Sequence, residues 1–379
     1  HTYNAAGVGW MAARVQERLQ TLGAKVNRID LPSAEIINDA GERIAQPLGP
    51  AVYAIKRPDA KVKVFLGIHI DTVFAVDHPF QSVREVDANT LNGPGVVDAK
   101  GGLVVLLTAL EALERSGFAQ TTGWEVLINP DEEIGSPSSV SLLSECAKRN
   151  HFGLVFEPAL PDGNLVGARK GSGVFTFVIH GKAAHAGRDF GSGRNAIVAA
   201  AELVRELHRA NTGIDSSKDR DINPGEGVTF NIGKITGGGP SNVVPDRCVV
   251  TLNVRTMHPH DIPLINRHIE HAAETAGRID GIRVETFGGF SSPPKPLDEL
   301  SQKLLDIIIQ AGRQLDLNLT YRPSGGTCDG NKLAAAGLPV IDSMGPRGGH
   351  LHSPEEFVSV DSLAERAKLT LLTLHALGK

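Results

Sequence analysis

Three short apolar runs, VKVFLGIHI (62–70), WEVLIN (124–129) and FGLVFE (152–157), each end in polar or charged residues, and helical patterns separate them. GGLVVLLTALEALERSG (101–117) repeats leucine at 103, 106, 107, 110 and 113, one face of a helix, and SPSSVSLLSECAKRN (136–150) reads as a helix opened by serines. Nearly continuous apolar strands alternating with helices predict an α/β sheet covered on both faces. In such sheets ligands bind in the crevice beyond the carboxyl ends of the strands. Those are the ends where His69, Asp131, Glu132, Glu133 and Glu157 fall.

The rhythm changes after residue 170. GVFTFVIHGK, RNAIVAAAELVRELHRA, GVTFNIGKITGG, RCVVTLNVRT, IPLINRHIEHAAETAG and IRVETFG follow in the order βαββαβ, the ferredoxin-like pattern. After SSPPKP (291–296) the α/β pattern resumes with LSQKLLDIIIQAG, LPVIDSMG and a terminal helix, DSLAERAKLTLLTLHALGK. The expected organisation is therefore a domain of residues 1–170 and 292–379 interrupted by an inserted α+β domain, 171–291. A chain of 379 residues suits two such domains.

A net charge of −5 without a dense Lys/Arg tract argues against a nucleic-acid or anionic-membrane surface, and no apolar run reaches membrane-spanning length. Small-molecule partners are expected. Cys146, Cys248 and Cys328 are widely spaced and odd in number, which disfavours a disulfide framework and predicts a reducing compartment. The cytoplasm is the expected location. A periplasmic or secreted setting stays open, because the first residue is His1 and an upstream segment could have been removed.

Each candidate motif also has an ordinary explanation. His69 and Asp71, two apart at a strand end, leave the same face; alone, His-x-Asp more often marks a hydrogen-bonded pair than a metal ligand with its supporting carboxylate. Asp98 in NGPGVVDAKGG could simply be a carboxylate at a helix N-terminus. Its loop lacks the third glycine of a dinucleotide fingerprint. Most acidic triplets like Asp131–Glu133 are solvated loops. Together, however, two histidines (His69 and His352) and several carboxylates arriving at one sheet edge require raised pKa values or bound cations, and nitrogen and oxygen ligands without thiolates suit Zn²⁺, or less selectively Mn²⁺ or Co²⁺.

On these motifs the sequence resembles, over nearly its whole length, the M20 family of dinuclear zinc aminoacylases and carboxypeptidases. The resemblance implies a zinc-peptidase-like α/β/α catalytic domain with an inserted ferredoxin-like domain that serves as lid and dimerisation surface. It implies two Zn²⁺ per chain, with Co²⁺ or Mn²⁺ as substitutes. HIDTV supplies ligand His69 and its supporting Asp71, GPGVVDAKGG the bridging ligand Asp98, DEEIGS the general base Glu132 and ligand Glu133, FEP ligand Glu157, and HLHSPEEF ligand His352. It further implies a cis peptide bond from Asp98 to Ala99, an oxyanion-stabilising His185 (GKAAHAG) reaching the partner subunit's site, and substrate-carboxylate contacts from Asn242 (SNVVP) and Arg255 (LNVRT). Asp131 is left as the exposed member of its triplet, capping the turn. In SGGTCDGN, Cys328 precedes Asp329 where the family usually has Asp directly after Gly-Gly-Thr.

The implied reaction is hydrolysis of an amide that links an acyl group to an amino acid with a free carboxylate. NPDEEIGSPSS and GGT point first to the glutamate carboxypeptidase branch, the carboxypeptidase G2-like type. Deacylation of an N-acyl amino acid such as acetylornithine is the alternative. A catalytically silent binding protein with this fold would be expected to erode the ligand set, and a metal-free hydrolase built on Glu132 and Glu157 would leave His69 and His352 without a role.

Overall fold

Alternation of side chains along the strand Val62–His69 organises the larger unit. Val64, Leu66 and Ile68 face one side of a six-stranded sheet and Phe65 the other, all buried. The first side joins a core built with the helices Ala5–Thr21, Lys100–Glu114, Glu299–Arg313 and Val360–Leu377. The second joins Leu143, Cys146 and Leu333 of the helices Val140–Arg149 and Asp329–Ala335. The architecture is α/β/α.

The computed structural model describes residues 1–211 and 227–379. Strand order in the large sheet is Lys25–Ile29, Ala51–Lys56, Thr122–Asn129, Val62–His69, Phe152–Val155, Val340–Ile341. Ala51–Lys56 is antiparallel to both neighbours and the later pairings are parallel. His69 pairs in register with Asn129, so His69 and the residues that follow Asn129 emerge side by side. A smaller sheet of Gly348–Gly349, Phe357–Ser359, Thr90–Asn92 and Arg84–Asp87, which the sequence reading did not anticipate, pairs Phe357 with Asn92. That pairing ties the loop after residue 349 to the loop that leads to Asp98.

The chain divides into two compact units. One comprises His1–Ala34, Gln46–Arg169 and Lys295–Lys379; the other comprises Glu35–Ala45 and Lys170–Pro294. The second unit is a four-stranded antiparallel sheet in the order Thr229–Gly237, Arg247–Thr256, Gly171–His180, Arg283–Ser292, with helices Ala196–Asn211 and Ile262–Gly277 contributing to its core. Its element order is the expected βαββαβ. The segment Glu35–Ala45, read from sequence as part of the first domain, packs here instead. Val178 and Val249 lie outside the helix-covered core and need covering, and the turn of this hairpin supplies it. A Cβ on Gly41 would come within 2.7 Å of Val178, and Arg247 Nη1 donates to the Ala40 carbonyl at 2.5 Å. Among the described residues no helix is long and apolar enough to cross a membrane.

Candidate metal centre and active site

Five of the expected ligands converge at the carboxyl edge of the large sheet. His69 is the last residue of its strand and fully buried. Its Nε2 lies 3.1 Å from Asp98 Oδ1 and 3.8 Å from Glu157 Oε2. His352 Nε2 lies 3.3 Å from Asp98 Oδ2 and 3.3 Å from Glu133 Oε2. Each oxygen of Asp98 thus faces a different imidazole, and each imidazole has a second carboxylate: Glu157 on the His69 side, Glu133 on the His352 side. Ligand atoms of His69, Asp98 and Glu133 also fall within 4.8 Å of one another, but the shorter separations divide the set as stated.

These distances test whether cations fit. Metal–ligand bonds of about 2.0–2.1 Å in tetrahedral geometry separate ligand atoms by roughly 3.3–3.4 Å, while a direct N–H···O bond centres on about 2.9 Å. The four separations, 3.1–3.8 Å, bring the donor atoms close enough together for two coordination polyhedra that share Asp98. Glu157 Oε1 adds a buried oxygen without a protein partner. The residues fit a pair of divalent cations.

The backbone explains why these atoms meet. Gly102 lies so close to the Phe156–Glu157 segment that a Cβ would stand 1.9 Å from the Phe156 carbonyl oxygen, and Gly345 donates its N–H to the Glu157 carbonyl at 2.9 Å. His352 has φ 61°, a left-handed conformation costing about 1–2 kcal/mol in a non-glycine residue. Asp71 is wholly buried. It accepts from His69 Nδ1 (3.2 Å), Thr2 Oγ1 (2.7 Å), Glu132 N–H (3.3 Å) and Glu133 N–H (3.2 Å), orienting the imidazole and the glutamate turn with one carboxylate. The Asp98–Ala99 peptide bond is cis.

Electrostatics match a site built for added positive charge. Burial opposes charging His69, but Glu157 and the bonds to Asp71 and Asp98 outweigh it and hold its pKa well above the ordinary value. Hydrogen bonds to Asp98 and Glu133 push His352 up to about 10. Burial raises Glu157, and burial followed by the Glu157 charge pushes Glu132 well above the usual carboxylate range. Carboxylates outnumber imidazoles in this cluster, and divalent cations would supply the positive charge that offsets them.

Asp131 departs from its expected exposure. It is fully buried, accepting from the backbone N–H groups of Ser138 (2.9 Å) and Ser139 (3.1 Å) and from Ser139 Oγ (2.5 Å) at the start of the helix Val140–Arg149. Neither expectation holds: the side chain makes no capping bond to the glutamate turn Glu132–Ile134 and turns inward to these serines instead. Below it, Asp329 accepts from Asn129 Nδ2 (2.7 Å) and Ser136 Oγ (2.5 Å) and pairs with Lys332 Nζ (3.0 Å), gripping both ends of the turn that carries Glu132 and Glu133. Cys328 is buried at the N-cap of the helix Asp329–Ala335 and its thiol is pushed well up by burial. No sequence signal pointed to Asp329 and Lys332 as a clamp.

In the smaller unit His185 is exposed, and its Nδ1 accepts from the N–H groups of Gly187 (3.1 Å) and Arg188 (3.2 Å). This places the proton of the neutral ring on Nε2. Ala186 N–H donates to the Asn242 carbonyl at 2.9 Å, so His185 and Asn242 come together. Arg255 does not join them. It lies opposite Ser172 and Thr229 near the far end of Arg247–Thr256, on the order of 25 Å along the strand from the end where His185 and Asn242 sit.

A mixed sheet with carboxylates and imidazoles gathered at its carboxyl edge is an arrangement suited to a metal-dependent hydrolase. The model of peptidase family M20/M25/M40 matches residues 65–376, and the chain belongs to that family, whose members are metal-dependent hydrolases of amide bonds. It is 29% identical over 381 residues to carboxypeptidase G2 of Pseudomonas sp. (strain RS-16), covering 100% of this chain and 86% of that protein. It is 28% identical over 376 residues to succinyl-diaminopimelate desuccinylase of Hahella chejuensis, covering 94% and 88% respectively. The fold matches that of an M20 metallo-carboxypeptidase from Sulfolobus solfataricus with a TM-score of 0.74 at 17% identity, over 98% of this chain and 94% of that one.

Proposed function

We propose that this protein is a dinuclear zinc hydrolase that releases an amino acid with a free α-carboxylate from its acyl or peptidyl partner, in the manner of a glutamate carboxypeptidase. The observation that carries the reading is Asp98, whose two oxygens each face a separate His–Glu pair. His69, Asp98 and Glu157 would hold one cation, and His352, Asp98 and Glu133 the other. When bound, these cations supply Lewis-acid polarisation of the amide carbonyl and acidification of the attacking water.

Glu132 is the group left free. Its backbone N–H is fixed on Asp71, and its burial favours a carboxyl that can both take and return a proton. It accepts the proton of the attacking water and hands it to the departing amine. His185, with its ring proton on Nε2, is suited to donate to the developing oxyanion, a contribution of roughly 3–4 kcal/mol for one such donor. Arg255 and Asn242 are assigned to the substrate carboxylate. Because His185 and Asn242 lie at one end of their sheet and Arg255 near the other, a homodimer in which one protomer lends His185 and Asn242 to its partner's site accounts for the set. Three free, buried cysteines support a reducing compartment, with the cytoplasm the expected one.

The likeness to carboxypeptidase G2 over the whole chain favours C-terminal cleavage; the likeness to the desuccinylase keeps N-acyl amino acid deacylation as the second reading. Zinc-loaded protein assayed on an N-acyl glutamate, N-acetylornithine and N-succinyl-diaminopimelate separates them. The proposal expects the highest kcat/KM on the N-acyl glutamate. A tenfold preference for either diamino acid derivative would replace it with a deacylase, and no turnover of any would return the binding-protein reading.

A further inference from the structure

The loop Gly93–Asp98 belongs to no strand or helix, yet its backbone donors are nearly all satisfied by one residue. Glu356 is buried; its Oε2 accepts the N–H of Gly95 (2.9 Å), and its Oε1 accepts those of Val97 (3.0 Å) and Asp98 (3.1 Å). Its carbonyl accepts the N–H of Gly93 at 3.2 Å. Pro94 has no N–H, so only Val96, which bonds back to the Gly93 carbonyl at 3.3 Å, looks elsewhere. Asn92 Nδ2 also donates to the Glu356 carbonyl, at 2.7 Å. Lys100 lies within electrostatic reach of Glu356 and of Asp98, a countercharge for the buried carboxylate.

Glu356 also stands four residues after His352. The turn between them closes through Glu356 N–H on the Ser353 carbonyl (3.0 Å) and Ser353 N–H on the His350 carbonyl (3.2 Å). The loop that presents His352 therefore ends in the side chain that fixes the backbone of Asp98. We propose that Glu356 is the positioning residue that sets the Asp98 carboxylate against His352 and so determines retention of the cation between them. Buried N–H groups that lose an acceptor must find another, and this loop has no strand neighbour to offer one. Asp98 would then turn, and the His352–Asp98 separation would no longer suit a shared ligand. The inference rests on the reading of Asp98 as the shared ligand.

Glu356→Gln keeps the shape but replaces one acceptor oxygen with a donor, so at least one of the three N–H groups is left facing an N–H. Zinc affinity, measured by competition with a chelating dye, is expected to fall about 10- to 100-fold. KM should stay near wild type once zinc is saturating, and excess zinc should restore kcat. Leu304→Ala, a core truncation in the helix Glu299–Arg313 far along the chain, serves as a control for general loss of stability, and Asp98→Ala tests the underlying reading. Glu356→Ala should lose more zinc affinity than Glu356→Gln; if it fails to fold, the glutamine variant alone decides. Wild-type zinc affinity in folded Glu356→Gln, or a loss no greater than that of Leu304→Ala, overturns the inference. Two zinc ions retained by Asp98→Ala would instead overturn the assignment of Asp98.

Discussion

Substituting Asp71 by Asn probes the support of the centre without touching a proposed ligand. Oδ1 receives His69 Nδ1 and the Glu132 N–H, and Oδ2 receives Thr2 Oγ1 and the Glu133 N–H. An asparagine can keep only one acceptor oxygen. If its amide nitrogen faced His69, two donors would meet at Nδ1, and the imidazole would have to give up that proton. The other pose is cheaper: the oxygen stays on His69 and Glu132, Thr2 rotates its hydroxyl to accept, and the Glu133 N–H alone is stranded. One stranded buried donor costs about 1–3 kcal/mol, and the charge assistance to His69 is lost as well. We expect Asp71→Asn to unfold at lower urea by that amount and to bind zinc about 10- to 100-fold more weakly. Urea titrations of the zinc-free protein and chelator competition measure the two effects separately. An unchanged unfolding midpoint together with unchanged zinc affinity would refute the reasoning about Asp71.

The two glutamates of the turn should separate cleanly. Glu132→Gln is expected to keep both zinc ions and lose turnover by about 10²–10⁴, whereas Glu133→Gln should lower zinc content; equal metal loss in both would reverse the assignment. His185→Ala should lose turnover with full zinc content, and mixing it with Glu132→Gln should restore part of the activity if His185 serves the neighbouring protomer; no recovery after verified subunit exchange would place His185 elsewhere. Away from the site, Glu114 is half-buried, and its desolvation is outweighed by bonds from Arg57, Lys56 and Trp124, which lower its carboxyl to about 2 from 4.5. Its stabilisation is therefore full above about pH 4.5 and lost as pH falls towards 2, so Glu114→Gln should flatten the melting temperature across that window, and an unchanged slope would contradict the pairing.

Sequence and structure agree where one-dimensional periodicity carries the information. His69, the glutamate turn and Glu157 could be placed at one edge because each ends an apolar run, and parallel strands bring such ends together. The inserted βαββαβ order was equally legible. The rest depended on contacts distant in sequence. Nothing local in SAEIINDAGERIAQ says that a short hairpin will cover Val178 and Val249. Asp131 looks solvated beside two other acids until the serines after it fold back onto it. Glu356 sits in a motif already singled out for His352, yet its use is set by the pairing of Phe357 with Asn92, which no spacing rule predicts.

Diffraction from zinc-loaded crystals, recorded at the zinc absorption edge, tests the central claim most directly. The account predicts two anomalous peaks per chain, about 3.5–4 Å apart, one beside His69 and Glu157, the other beside His352 and Glu133, with Asp98 between them. A single peak, or two peaks of which only one touches Asp98, would contradict it.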